Sequence, residues 1–186
     1  MVKHVFQYLK GTLNYSLKYT KYDTSSISGS LFGYSDSDWG SSVKDRKSIT
    51  GYYFGMNVKG PAVSWKSKRQ QTVALSSCEA EYMALAAATQ EALFLSNLIK
   101  DFVTMEIAPV TIFSDNQGAI ALSKHPIHHH RTKHIDIRYH FIRDNISNKF
   151  IKVEYVPASH NVADLMTKPA TKIKLQHFKD RLFGHQ

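Results

Sequence analysis

The sequence predicts an α/β protein: a five-stranded mixed sheet flanked by helices. Two observations carry this. Three strand-like segments follow one another through short connections, and then helical and strand-like segments alternate. Short connections favour antiparallel neighbours, whereas helical crossovers bring in parallel ones. With 186 residues, 42% of them hydrophobic, the chain is long enough for one globular domain with a sizeable core.

The elements follow in order. Val2, Val5, Phe6, Leu9 and Leu13 recur at helical spacing, so a helix is expected over 2–13. Asp23 to Ser30 is small and polar and reads as a linker. The first three strands are LFGYSD (31–36), TGYYFGMNV (50–58) and AVSWKS (62–67), the last two joined by a turn at Lys59-Gly60-Pro61. A long helix runs from about Ser76 to Phe102, with the Ser76-Ser77 pair as its N-cap. VTIFSD (110–115) is the fourth strand. The helix NQGAIALSK follows, stopped by His125-Pro126. Another helix spans about His134 to Asn148, and FIKVEYV (150–156) is the fifth strand. NVADLMTK and KIKLQHFKDRLF are the last helical pieces. A helix starting directly after Met1, with no lead-in, is expected of a fragment of something longer.

Composition narrows the class. Lys and Arg number 24 against 15 Asp and Glu, a formal charge of +9. Such a balance suits a polyanionic partner, most often nucleic acid. Cys78 is the lone cysteine, which rules out an internal disulfide and fits a reducing compartment. No apolar run approaches the roughly 20 residues of a membrane span, and MVKHVFQYLK lacks an apolar signal core.

Against this basic background four acids stand out by position. Asp36 lies late in the first strand, Glu81 in the first turns of the long helix, Asp115 at the end of the fourth strand and Asp164 after the fifth. Strand ends and helix starts are where α/β folds build sites. On the long helix, Cys78, Tyr82, Leu85, Thr89, Ala92 and Ile99 form an apolar stripe. At about 100° per residue, Glu81 falls roughly 20° from the stripe's centre and Glu79 about 140° away. Glu81 is therefore expected to face the sheet and Glu79 the solvent. Period-two alternation places Asp36 and Asp38 on one face and does not choose between them. Clustered carboxylates repel one another unless cations compensate, and all-oxygen ligation favours Mg²⁺ or Mn²⁺.

Five longer strings then stand in order: YSDSDWGSSVKDRKSITGYYF, SWKSKRQQTVALSSCEAEYMAL, IFSDNQGAIAL, RTKHIDIRYHFIRD and VEYVPASHNVADLMTKP. Together they resemble the ribonuclease H domain of Ty1/copia-type retrotransposon Pol polyproteins, from about Leu31 to the C-terminus. VKHVFQYLKGTLNYSLKY also resembles the tail of the preceding reverse transcriptase region. The implied division is a polymerase tail and linker at 1–30, a ribonuclease H domain with its ribonuclease H-like fold at 31–170, and a C-terminal helical tail at 171–186.

The resemblance implies an Asp-Glu-Asp-Asp set that holds metal and carries catalysis. YSD matches Asp36, EYMAL matches Glu81, FSDNQ matches Asp115 and VADLMTK matches Asp164. It selects Glu81 over Glu79 and Asp36 over Asp38. The implied reaction is hydrolysis of the RNA strand of RNA–DNA hybrids during reverse transcription. Two Mg²⁺ ions, with Mn²⁺ as substitute, are implied about 4 Å apart, with no small-molecule cofactor. His160 matches a mobile histidine that aids product release in some ribonucleases H. Ser76, Ser77, Asn116 and Gln117, near helix starts, are candidate substrate contacts. Lys66, Lys68 and Arg69 beside Trp65 are a candidate phosphate track. The implied partners are the hybrid and the reverse transcriptase domain of the same polyprotein, with no membrane. The setting implied is intracellular, a cytoplasmic particle or the nucleus.

Two other readings compete. One is a catalytically inactive nucleic-acid-binding remnant, against which stands the presence of all four carboxylates. The other is an integrase or another nuclease sharing the fold, against which stands a helical Glu followed by two Asp. His130, His134 and His140 invite a zinc reading, but no Cys pair accompanies them, and an incidental role is expected. Asp136 and Asp144 read as surface charges.

Overall fold

The computed structural model describes residues 2–19, 31–56, 61–102, 108–124 and 133–184. Helix α1 spans Val2–Gly11. Strands β1 (Phe32–Asp38), β2 (Ile49–Gly55) and β3 (Ala62–Arg69) follow. After them come α2 (Ser77–Phe102), β4 (Val110–Ser114), α3 (Gln117–Lys124), α4 (Lys133–Ser147), β5 (Ile151–Tyr155) and α5 (Lys172–Phe183). Ala158–His160 and Val162–Met166 are short 3₁₀ segments, so the DLM piece winds more tightly than an α-helix. The expected linker at 23–30 and the His125-Pro126 stop lie outside the described residues.

The strands form one sheet in the order β3-β2-β1-β4-β5. β1–β2 and β2–β3 pair antiparallel, as their short connections dictate, while β1–β4 and β4–β5 pair parallel across helices. β1 is central and buried along nearly its whole length. β3 is an edge whose last five residues are exposed. After α4 the chain turns at Lys149 in the left-handed region (φ 59°), and Phe150 donates back to the Asn145 carbonyl at 3.0 Å.

Each face of the sheet has its own core. On one, α2, α3 and α4 bring Leu85, Ala88, Ala92 and Ile142 against Tyr52, Phe54 and Ile112. Alanine at six positions between Ala80 and Ala92 lets the long helix lie close to the strands. On the other, Tyr34 and Tyr53 are covered by Val162, Ala163, Phe178 and Leu182. Burying a side chain such as Phe178 or Leu182 is worth about 1.5–3 kcal/mol, enough to fix a helix of this length. The N-terminal segment meets the same region. Lys18 donates to the Phe183 carbonyl at 2.8 Å, and the Tyr15 and Phe183 rings lie 5.1 Å apart.

Candidate active site

The floor of the site is a row across three strands. Asp36 pairs with Gly51, and Gly51 with Ser67. The glycine is required here. A Cβ on Gly51 would sit 2.7 Å from Thr167 Cγ2, 2.8 Å from the Ala163 carbonyl oxygen and 2.9 Å from Met166 Cβ. Without a side chain at 51, the segment carrying Asp164 lies directly on β2, and Thr167 donates its hydroxyl to Asp36.

Helix α2 supplies the glutamate. Ser76 caps it by accepting from the Glu79 N–H at 3.1 Å, and Glu79 reaches back to accept from the Leu75 N–H at 2.9 Å. Glu79, expected in solvent, is thus only 8% exposed. Its capping role, which helical periodicity does not register, turns it inward. Glu81 faces the sheet as expected, 7% exposed, with Oε1 accepting from the Ser37 N–H at 3.1 Å. Its Oε2 is buried with no hydrogen-bond partner among the described residues. A buried acceptor left unpaired costs about 1–3 kcal/mol, a cost that a bound cation would relieve.

Asp36, Glu81 and Asp115 each place an oxygen within 4.8 Å of the other two. Burial, opposed by Thr167 and joined by repulsion from Asp115, pushes Asp36 up to about 6. Burial first, then Asp36 and Asp115, pushes Glu81 up to about 8, against the Ser37 N–H. Asp115 is also raised, mainly by burial. Three oxygen donors that repel one another, one with a buried oxygen left unpaired, are compatible with a divalent cation.

The other candidates are placed differently. Asp38 is 4% exposed, but it accepts from the Ile49 N–H and closes the end of the β1–β2 ladder. Asp164 lies outside the three-way cluster. Its Oδ1 pairs with Lys168 at 3.0 Å and its Oδ2 with Lys174. Burial opposes ionisation there, yet the two lysines hold Asp164 below its usual range. His160 is exposed, its Nδ1 3.0 Å from the Ser159 hydroxyl. Asn116 caps α3 by accepting from the Ala119 N–H at 2.9 Å, Gln117 is exposed on the first turn, and Ser77 opens α2.

The basic run on β3, Arg69 included, lines one groove at the edge of the sheet. Lys66 lies over the Tyr52 ring at 5.8 Å, on the α2 side. With Lys68, Gln90 and Arg138 it lines that groove, of about 360 Å³. Arg69 pairs with Asp45 at 3.0 Å. His140 is exposed, while His130 and the His134 side chain lie outside the described residues. Among the described residues, the one group with metal-ligand spacing is the carboxylate cluster, with no histidine in it.

Sequence reasoning missed Thr167, Lys168, Lys174 and Asn161. The Asp164–Lys168 spacing, four residues apart, was the available signal. The contacts of Lys174 and Asn161 are tertiary and carry none.

No protein-family model matches the chain. Solved structures share its architecture. LC11-RNase H1, isolated from compost, superposes with a TM-score of 0.54 at 15% identity, over 75% of this chain and 93% of that one. The same enzyme in complex with an RNA/DNA hybrid gives 0.53 at 15% identity, over 78% and 99%. An N-terminal RNase H domain from Mycobacterium tuberculosis gives 0.52 at 15% identity, over 80% and 99%. The fold is therefore ribonuclease H-like, with a carboxylate cluster, buried at Asp36 and Glu81 and partly buried at Asp115, where β1 and β4 meet the first turns of α2. Much longer proteins are similar in sequence. The Retrovirus-related Pol polyprotein from transposon TNT 1-94 of Nicotiana tabacum is 36% identical over 99% of this chain. That from transposon RE1 of Arabidopsis thaliana is 35% identical over 97%. Secreted RxLR effector protein 161 of Plasmopara viticola is 50% identical over 51% of this chain and 63% of its own length. The chain is a homologue of part of the retrovirus-related Pol polyproteins of plant copia-type transposons. It spans 13% and 12% of the length of those two relatives.

Proposed function

We propose that this chain is a metal-dependent ribonuclease H that hydrolyses the RNA strand of RNA–DNA hybrids in the reverse transcription of a retroelement. The observation that carries the proposal is the trio Asp36, Glu81 and Asp115 around the unpaired, buried Oε2 of Glu81. Asp36, Glu81 and Asp115 would hold a divalent ion, and Asp164 would join them for a second. Such ions, when bound, supply the charge that activates a water and steadies the leaving 3′ oxygen.

The chain's own residues do the rest. Thr167 and the Ser37 N–H fix the orientations of Asp36 and Glu81 before substrate arrives. Ser76, Ser77, Asn116 and Gln117 sit at helix starts, where N–H groups attract phosphate. Lys66 and Lys68, with Arg69 at the strand end, would track a strand's backbone. His160, exposed beside the segment carrying Asp164, would assist product departure. We assign 31–170 to the ribonuclease H domain, 1–30 to a polymerase tail and linker, and 171–186 to a C-terminal helical tail that packs back on the sheet. The partners are the hybrid and the reverse transcriptase portion of the same polyprotein.

The lysines on Asp164 favour a second reading, a hybrid-binding module without turnover. A labelled RNA–DNA hybrid incubated with Mg²⁺, with Mn²⁺ and with chelator, beside Asp115→Asn, decides between them. Metal-dependent cutting of the RNA strand alone, lost in the variant, is the expected result. Binding without cutting would establish the second reading.

A further inference from the structure

The metal-site reading leaves one group unexplained. Asp164 stands close enough to Asp36 and Asp115 to raise both, yet both of its oxygens are taken by ammonium groups. Lys168 follows Asp164 by four residues, and its charge also acts on Asp36 and Asp115. It is the basic group placed among three of the four acids. Lys174 arrives from the first turns of α5.

We infer that Lys168 and Lys174 are a latch on Asp164, holding it until a divalent ion displaces their ammonium groups, so that ion binding and lysine release are one competitive event. The inference rests on the metal-site reading above. Lys168 and Lys174 keep 53% and 34% of their side chains exposed. Asp164 itself is 14% exposed, so it is the ammonium groups that have water to move into. A divalent ion brings twice the charge and binds carboxylate oxygens at about 2.0–2.1 Å in the case of Mg²⁺. The Lys168 charge stands where a cation is needed.

The test is calorimetric titration of Mn²⁺ into the metal-free full chain at fixed ionic strength. The proteins compared are the natural sequence, Lys168→Met, Lys168→Arg, Asp164→Asn and Asp115→Asn. Removing one positive charge a few ångströms from the site tightens Mn²⁺ binding about tenfold in Lys168→Met. Lys168→Arg keeps the charge and stays within about twofold of the natural protein. Asp164→Asn frees Lys168 to turn to Asp36 and Asp115, and binding weakens about threefold or more. Asp115→Asn loses the high-affinity event. Equal or weaker binding in Lys168→Met, with the natural protein still binding and Asp115→Asn not, would overturn the latch alone. Absence of Mn²⁺ binding in the natural protein would overturn the metal-site reading, and the latch with it.

Discussion

Asn161 donates from its amide nitrogen to the Ser35 carbonyl at 3.0 Å, across a sequence separation of 126. The same side chain accepts from the Ala163 N–H at 3.1 Å. One fully buried residue thus clips the segment of Asp164 to the strand of Asp36. Asn161→Ala leaves a strand carbonyl and a helix-start N–H unpaired, at about 1–3 kcal/mol. Urea denaturation is expected to show that loss, and hybrid cleavage to fall with it.

Gly51→Ala is expected to destabilise the fold by about 1–3 kcal/mol, the usual cost of overpacking. Its methyl would press on Thr167, Met166 and the Ala163 backbone. The displaced Thr167 no longer orients Asp36, so Mn²⁺ affinity falls as well. A variant with unchanged melting temperature and metal affinity would mean that this segment does not rest on β2.

Glu79 and Glu81, two residues apart, are expected to separate stability from catalysis. Glu79→Gln weakens the cap of α2 by about 1 kcal/mol and leaves cutting largely intact. Glu81→Gln abolishes cutting and leaves circular dichroism unchanged. Paired melting curves and hybrid-cleavage gels check both.

In metal-free protein, stability is expected to fall as pH rises. Asp36 and Glu81 have folded values of about 6 and about 8, above their ordinary 3.8 and 4.5. The folded chain therefore keeps protons that the unfolded chain releases. Their contribution is complete below about pH 4 and is lost as pH passes through 6 and then 8. Glu81→Gln removes the upper part of that decline. Thermal melts from pH 4 to 9 in chelator, compared between the two proteins, report it.

Hybrid binding is expected to weaken steeply with salt, with a slope near −0.9 per phosphate neutralised. Replacing Lys66 and Lys68 by alanine lowers the slope by about 2 if each meets one phosphate. An unchanged slope would remove β3 from the substrate path.

Much of this was legible in the sequence. The strand and helix order follows from periodicity, and the angle of Glu81 on its helix placed it on the sheet side before any coordinates. Other features were not legible, for identifiable reasons. Alternation cannot separate Asp36 from Asp38, since both are buried and differ only in what they bond. Glu79 turns inward because a cap overrides its position on the helix wheel. The lysines on Asp164 and the amide of Asn161 depend on how a late segment folds over an early strand. No local pattern records that.

The contact between Lys18 and Phe183 has a topological meaning. Chain entering the sheet region and chain leaving it stand side by side, as do the ends of domains that tolerate insertion and circular permutation. The polypeptide between those two points is thereby closed into a loop by one backbone hydrogen bond.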